Sequence, residues 1–158
     1  MSRRSTAAAA APQAAPQRTR SQAGFTLVEL AIVIVLIGVL ASFGVPRFRD
    51  AVERSKAGES INYLSTIRAS QERYHAMYAT YATDVTNLDV DFPPMKYFTV
   101  GSVTVGSTGD IESSWSLALT RLGASAGYGA YTVTFTEVGY DATSSTINDL
   151  PQINPLGG

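Results

Sequence analysis

The chain is 158 residues long with 45% apolar and 16% charged side chains, enough apolar surface for one ordinary core and too little charge for a typical nucleic-acid binder. Its formal charge of −1 hides an asymmetry: residues 1–24 carry Arg3, Arg4, Arg18 and Arg20 and no acid, whereas residues 25–158 carry the other eight bases and all 13 acids, a net −5. The lack of cysteine excludes disulfides, thiolate zinc sites and cysteine nucleophiles, and a single histidine, His75, excludes a histidine-rich metal site.

Residues 1–24 are rich in Ala, Pro and Gln, with Pro12 and Pro16 breaking any helix. Such a composition reads as a disordered tail or as the positive flank of an export signal, and the two readings are compatible. The next stretch decides for the second. Residues 25–45 (FTLVELAIVIVLIGVLASFGV) contain one charge, Glu29. As a helix they span roughly 31 Å, enough to cross a hydrocarbon core of about 30 Å. The run is apolar all round, where a globular helix would keep a polar stripe. Arginines ahead of it place that end in the cytoplasm and the remainder across the membrane.

From Pro46 to about residue 82 the chain turns polar but keeps helical spacing: Phe48, Val52, Ile61, Leu64, Ile67 or Arg68, Gln71, Tyr74, Tyr78 and Tyr81 fall on one stripe. Asp50 and Arg54 are spaced as an i,i+4 pair. The spacing predicts one spine of about 55 residues running through Pro46. A kink is expected at Pro46, which lacks an amide donor and crowds the preceding turn, and Gly38 and Gly44 weaken the same region. The apolar stripe of the exposed half requires a cover. Residues 83–158 supply it. Residues 97–105, 114–122 and 128–138 are β-branched and aromatic with period-two alternation, separated by the turn-forming stretches 106–110 and 123–127. The expected fold is α+β: a long N-terminal helix packed on a three- to four-stranded antiparallel sheet, with a loop-like end over residues 141–158.

Ala23-Gly24-Phe25-Thr26-Leu27-Val28-Glu29-Leu30, at the head of the apolar run, resembles the signature of the type IV pilin family, which includes the pseudopilins of type II secretion. Gly24–Glu29 match that pattern at every position; the likeness extends closely to about Pro46, and to the head only in architecture. It implies that a membrane aspartyl prepilin peptidase cuts between Gly24 and Phe25 on the cytoplasmic face and that the new amine of Phe25 is methylated. Gly24 presents no side chain to obstruct the backbone, and a cut ahead of the apolar run leaves the anchor in place. The resemblance further implies a homo-oligomeric filament, an inner-membrane assembly platform, a single-pass inner-membrane precursor with its N-terminus cytoplasmic, and an extracellular pilus as the product. A carboxylate in an apolar helix costs about 2.5–3.5 kcal/mol on insertion scales. Glu29 therefore calls for a reason. The family reading pairs it with the N-terminal amine of a neighbouring Phe25 and so sets register; the plain alternative is a neutral or snorkelling side chain near the interface.

Other candidates are weaker. Asp84, Asp89 and Asp91 lie close together, and some pseudopilins bind calcium in their heads, but the spacing fits no EF-hand and reads better as a solvated acidic turn. His75 reads as exposed or partly packed rather than as a base. The tyrosines Tyr63, Tyr74, Tyr78 and Tyr81 read as packing rather than as an electron path. No Gly-x-Ser-x-Gly, Ser-x-x-Lys or phosphate loop is present, so no catalytic residue and no cofactor are expected. Without cysteine, the loop over 141–158 must be held by hydrogen bonds and packing or be mobile. Three readings compete: a pilus subunit; a pseudopilin, disfavoured by the missing C-terminal calcium-loop pattern; and a secreted binding module cut after Val39-Leu40-Ala41. A net −5 on residues 25–158 disfavours indiscriminate nucleic-acid binding.

Overall fold

One helix takes up much of the chain in a computed structural model that describes residues 24–123 and 127–157: α1, Leu27–Tyr78, is 52 residues long and continues through Pro46. The chain divides into two compact units at Val39–Leu40. In the first, every described residue is exposed. The second, Leu40–Gly158, contains the core.

Within the second unit, α1 buries Glu53, Ala57, Ser60, Leu64, Ile67, Ser70 and Gln71, steps of three and four residues that trace one face. Leu64, Ile67 and Gln71 lie on it as expected, and Ile61 and Tyr74 are half-buried at its margins. Phe48 and Val52 do not, at 70% and 38% exposed, nor does Tyr78, which is 62% exposed where the helix ends; for the first two the cause is phase. At about 100° per residue they sit roughly a quarter-turn or more away from the line through Glu53, Ala57 and Leu64. The expected pairing of Asp50 with Arg54 is also absent, because Asp50 accepts a hydrogen bond from the Tyr128 hydroxyl instead. The helix stops at Tyr78, short of the expected residue 82, where Ala79 takes a left-handed conformation (φ 55°) and its N–H bonds the His75 carbonyl at 2.8 Å. Tyr81 therefore enters the core from a loop rather than from the helical stripe.

The sheet is antiparallel throughout: β1 Phe98–Val100, β2 Thr104–Val105, β3 Trp115–Arg121, β4 Thr132–Thr136 and β5 Gly139–Tyr140, in the order β1-β3-β4-β5 with β2 also on β3. The stretch 97–105, expected as one strand, is two. Val100 pairs with Leu119 and the Gly101 N–H reaches the Ala118 carbonyl, but Thr104 then pairs with Ser116. Ser102 and Val103 thus oppose Leu117 alone, which makes a β-bulge. Gly101 is required there, since a Cβ would lie 2.8 Å from the Ala118 oxygen. The expected strand 128–138 instead folds back at Glu137–Val138, where Phe135 pairs with Tyr140 and creates β5.

β3 alternates strictly: Trp115, Leu117, Leu119 and Arg121 are buried, and the residues between them half-buried. With Phe98, Tyr131, Val133 and Phe135 these side chains face Ala57, Leu64 and Ile67 of α1 in a single core. The cysteine-free end is held by polar bonds and packing. Thr146 Oγ1 and Ser145 Oγ accept the Thr132 and Thr134 amides of β4, each at 2.8 Å, and Ile147 and Ile153 are fully buried.

Ala79 is exposed and left-handed, a conformation costing an L-residue about 1–2 kcal/mol. Ala79→Gly is accordingly expected to raise stability by about 0.5–1 kcal/mol, after glycine's larger unfolded-state entropy is discounted, as an upward shift of the denaturation midpoint.

Candidate functional site

α1 begins with a reciprocal cap. Thr26 Oγ1 accepts the Glu29 N–H at 3.1 Å, while the Glu29 carboxylate accepts the Thr26 N–H and hydroxyl, both at 3.2 Å. This is the capping-box arrangement of Thr followed three residues on by Glu, and it satisfies donors that a helix start leaves open. A carboxylate in the first turn also meets the positive end of the helix dipole. The two polar residues at the head of the apolar run thus satisfy each other locally. Gly24 and Phe25 precede the cap and are exposed. Among the described residues, a Cβ built on Gly24 meets nothing within 4 Å, so their packing makes no demand for glycine there.

Beyond the cap, all residues from 24 to 49 are exposed, including Leu27 at 84%, Leu40 at 72% and Phe43 at 72%. An apolar surface of this extent is far larger than a soluble monomer leaves bare, and α1 is long and apolar enough to cross a membrane. Pro46 lies inside the helix, where its ring removes one amide donor.

Where α1 turns to the core, a charged cluster is buried. The Glu53 carboxylate accepts from Arg121 Nε (2.5 Å) and the Tyr131 hydroxyl (3.1 Å) on one oxygen, and from Arg121 Nη2 (3.2 Å) and Lys56 Nζ (3.1 Å) on the other. Arg121 Nη1 donates to the Tyr97 and Leu122 carbonyls, and its guanidinium lies 5.5 Å from the Tyr97 ring centre. Burial pushes the Glu53 pKa up, but the hydrogen bonds from Arg121 and Lys56 outweigh it and hold the group below its ordinary value. Burial and the Glu53 charge push the Tyr131 hydroxyl well above its usual range. Next to the cluster, the hydrogen bond to Asp50 moves the Tyr128 pKa up to about 12.

The spacing of charges over 47–56 alone did not reveal this cluster, but two phases did contain it. Arg121 alternates in step with Trp115, Leu117 and Leu119, and Glu53 lies four residues before Ala57 and seven before Ser60. A base on a core-facing strand position needs an acid on the facing helix.

Two carboxylates of the acidic turn are engaged with protein groups, and the third, Asp91, is exposed. Asp84 caps the short 3₁₀ turn Val85–Asn87 through the Thr86 N–H (2.8 Å), and Asp89 takes Arg73 at 2.6 and 2.8 Å together with Ser70. The Arg73 hydrogen bonds hold Asp89 at about 2. Among the described residues no group of three or more His, Cys, Asp or Glu side chains is placed to hold a metal ion. His75 stacks on Tyr81 with ring centres 4.4 Å apart, and its Nε2 faces the Glu112 carbonyl at 3.0 Å.

Residues 19–45 match the family model described as the prokaryotic N-terminal methylation motif. The type IV major fimbrial protein FimA of Dichelobacter nodosus is 49% identical over 47 residues, 30% of this chain and 29% of that protein. Fimbrial protein EcpC of Eikenella corrodens is 40% identical over 55 residues, 35% of this chain and 36% of that protein. A fimbrial protein of Pseudomonas aeruginosa is 34% identical over 53 residues, 34% of each chain. The chain thus spans about a third of the length of the curated relatives it matches.

Removing Arg121 (Arg121→Met) leaves Glu53 buried without its main counter-charge and is expected to cost about 3–5 kcal/mol, most of it recovered in Glu53→Leu/Arg121→Met. The depressed Glu53 pKa sets the acid side. Its contribution is complete above the unfolded value near 4.5 and is lost as pH falls below it. The raised Tyr131 value sets the alkaline side, where its contribution falls away as pH rises above about 10. Denaturation midpoints across pH, for the parent and the double variant, check both; an unchanged acid limb in the double variant removes the role assigned to Glu53.

Proposed function

We propose, from the premise that this chain is a member of the type IV pilin family by its N-terminal segment, that it is made as a precursor, cut between Gly24 and Phe25, methylated on Phe25 and polymerised into an extracellular pilus. The observation that carries this reading is the Gly24–Glu29 motif set directly before a helix that exposes apolar side chains on every face. The lack of any described neighbour within 4 Å of a Cβ at Gly24 fits a demand for glycine that comes from outside the packing, such as a peptidase reading extended backbone. In this scheme residues 1–24 are the leader, 25–45 the membrane and filament-core helix, 46–82 the linking amphipathic region, and 83–158 the head.

The physical driving force is the exposed segment. Each large apolar side chain moved out of water contributes about 1.5–3 kcal/mol, so the helix has to be covered at every stage. The inner membrane covers it before assembly, with the N-terminus cytoplasmic; neighbouring copies cover it in the filament. Pro46 supplies a point at which the helix bends or opens to fit that packing. A prepilin peptidase and an inner-membrane platform act on the chain in turn. Glu29 holds the cap within its own subunit, and in the filament its charge meets the Phe25 amine of a neighbour, which excludes axial slips that leave the two charges unmatched.

Intact mass and terminal fragmentation of protein sheared from native cells are expected to give a chain that begins at methylated Phe25. A chain beginning at Ser42 would overturn the proposal, and a Phe25 start without surface filaments would assign the subunit to a secretion pseudopilus. Two variants separate charge from cap: Glu29→Gln keeps a capping-box side chain without the charge, and Glu29→Val keeps neither. Both are expected to be cleaved normally and to reduce surface filaments at least tenfold by shearing and immunoblot. Normal filaments from Glu29→Gln would reduce the role of Glu29 to that of the cap.

A further inference from the structure

Three arginines stand where α1 leaves its apolar stretch, and we propose that Arg47, Arg49 and Arg54 form an electropositive collar that docks on anionic phospholipid headgroups. The inference rests on the membrane reading of residues 25–45.

All three are exposed, and none makes a hydrogen bond or ion pair among the described residues. Of the two acids in the same stretch, Glu53 is spent on Arg121, Lys56 and Tyr131, while Asp50 keeps its charge because its partner, the Tyr128 hydroxyl, is neutral; the three arginines therefore exceed the one free acid by two charges. Arg49 does reach the neighbourhood of Tyr128, where its charge opposes the rise in the Tyr128 pKa, but it makes no bond there.

Position selects the partner. Val45 ends the apolar run, so Arg47 and Arg49 follow it by about 3 and 6 Å along the helix axis, within a headgroup layer roughly 5–7 Å thick. Arg54 lies about 13 Å beyond Val45, and its long side chain can lean back toward the interface. Phe43 and Phe48, 72% and 70% exposed, flank the boundary with apolar rings.

Distribution argues in the same direction. At about 100° per residue, Arg47 and Arg54 fall within roughly 20° of each other, and Arg49 lies about 160° around the helix from Arg47. The collar therefore presents charge on opposite sides. A lipid annulus meets a helix from all sides, whereas a single second subunit meets it from one and several copies are needed to reach both. The rival occupant is the head of another copy, since residues 57–158 carry ten acids and four bases. One such head matches the collar in charge but not in this two-sided placement.

The test uses the full chain reconstituted in vesicles containing trace spin-labelled phosphatidylglycerol or phosphatidylcholine, with the motionally restricted fraction giving the relative association constant. The parent is expected to favour phosphatidylglycerol about 3- to 10-fold at low salt, and less at 1 M salt. Arg47→Gln/Arg49→Gln/Arg54→Gln is expected to lose most of that preference, and the corresponding triple lysine variant to keep it. The arginines of residues 1–24 are common to all three proteins, so the difference between variants reads the collar. Equal association of both lipids with the parent, or an undiminished preference in the glutamine variant, overturns the proposal. So does a glutamine variant that keeps its lipid preference but forms no filaments, which would assign the collar to a second copy. Failure of the parent to float with vesicles of either lipid would overturn the membrane reading itself, an outcome distinct from insertion without lipid preference.

Discussion

A carboxylate and a guanidinium buried face to face hold α1 on the sheet. Taking Glu53 and Arg121 out of water costs several kcal/mol per ion, and attraction offsets that cost only when the remaining lone pairs and protons are also met. Here most are: Glu53 accepts from Arg121 twice, from Tyr131 and from Lys56, and Arg121 gives both Nη1 donors to the Tyr97 and Leu122 carbonyls. The pair adds little net stability over a well-packed apolar substitute. Its effect is on specificity. A one-residue rotation of the helix, about 100°, would carry Glu53 off the buried face and leave Arg121 buried and unpaired, so the helix has one acceptable azimuth against β3.

The rest of the seam follows from that azimuth. Asp50 and Tyr128 form a second polar latch one turn earlier, and Arg68 bonds the Glu137 carbonyl where β4 turns into β5. Farther along, the buried Gln71 side chain accepts the Ala82 N–H at 2.8 Å and donates to the Ala82 carbonyl at 2.9 Å, fixing the loop that leaves the helix. Between these latches lie Ala57, Ser60 and Leu64, all fully buried, with Ser60 donating to the Ala57 carbonyl. Small side chains at the first two positions let the sheet approach closely. Polar clamps set rotation and apolar residues supply burial.

The same helix is asked for opposite things along its length. From 27 to 45 it presents apolar side chains on every face, and the polar pair at its head, Thr26 and Glu29, is satisfied within one turn. From 53 to 71 it has one buried face, and that face includes the charged Glu53. Pro46 and the arginines around it fall at the change between the two regimes, where the helix has no buried face and carries an excess of positive charge over Asp50.

Much of this was legible in advance because it depends on local pattern. The uninterrupted apolar run, the basic residues ahead of it and the Gly24–Glu29 motif were readable residue by residue, as were a helix through Pro46 and three β-forming stretches on an α+β plan. Tyr81, Phe48 and Val52 were misplaced because apolar identity was followed past the point where helical phase supported it. The break at Gly101 and the return strand Gly139–Tyr140 were missed because bulges and short hairpins are set by pairing partners rather than by composition.

The sequence by itself therefore determined which segment avoids water, where the helix starts and what chemistry its first turn carries, since hydrophobicity, capping and turn preferences act over a few residues. Tertiary structure alone decided that Glu53 meets Arg121, 68 positions away, and that Ser145 and Thr146 tie the cysteine-free end to β4. Those partners are chosen by helix azimuth and strand register, quantities that exist only once the elements have packed.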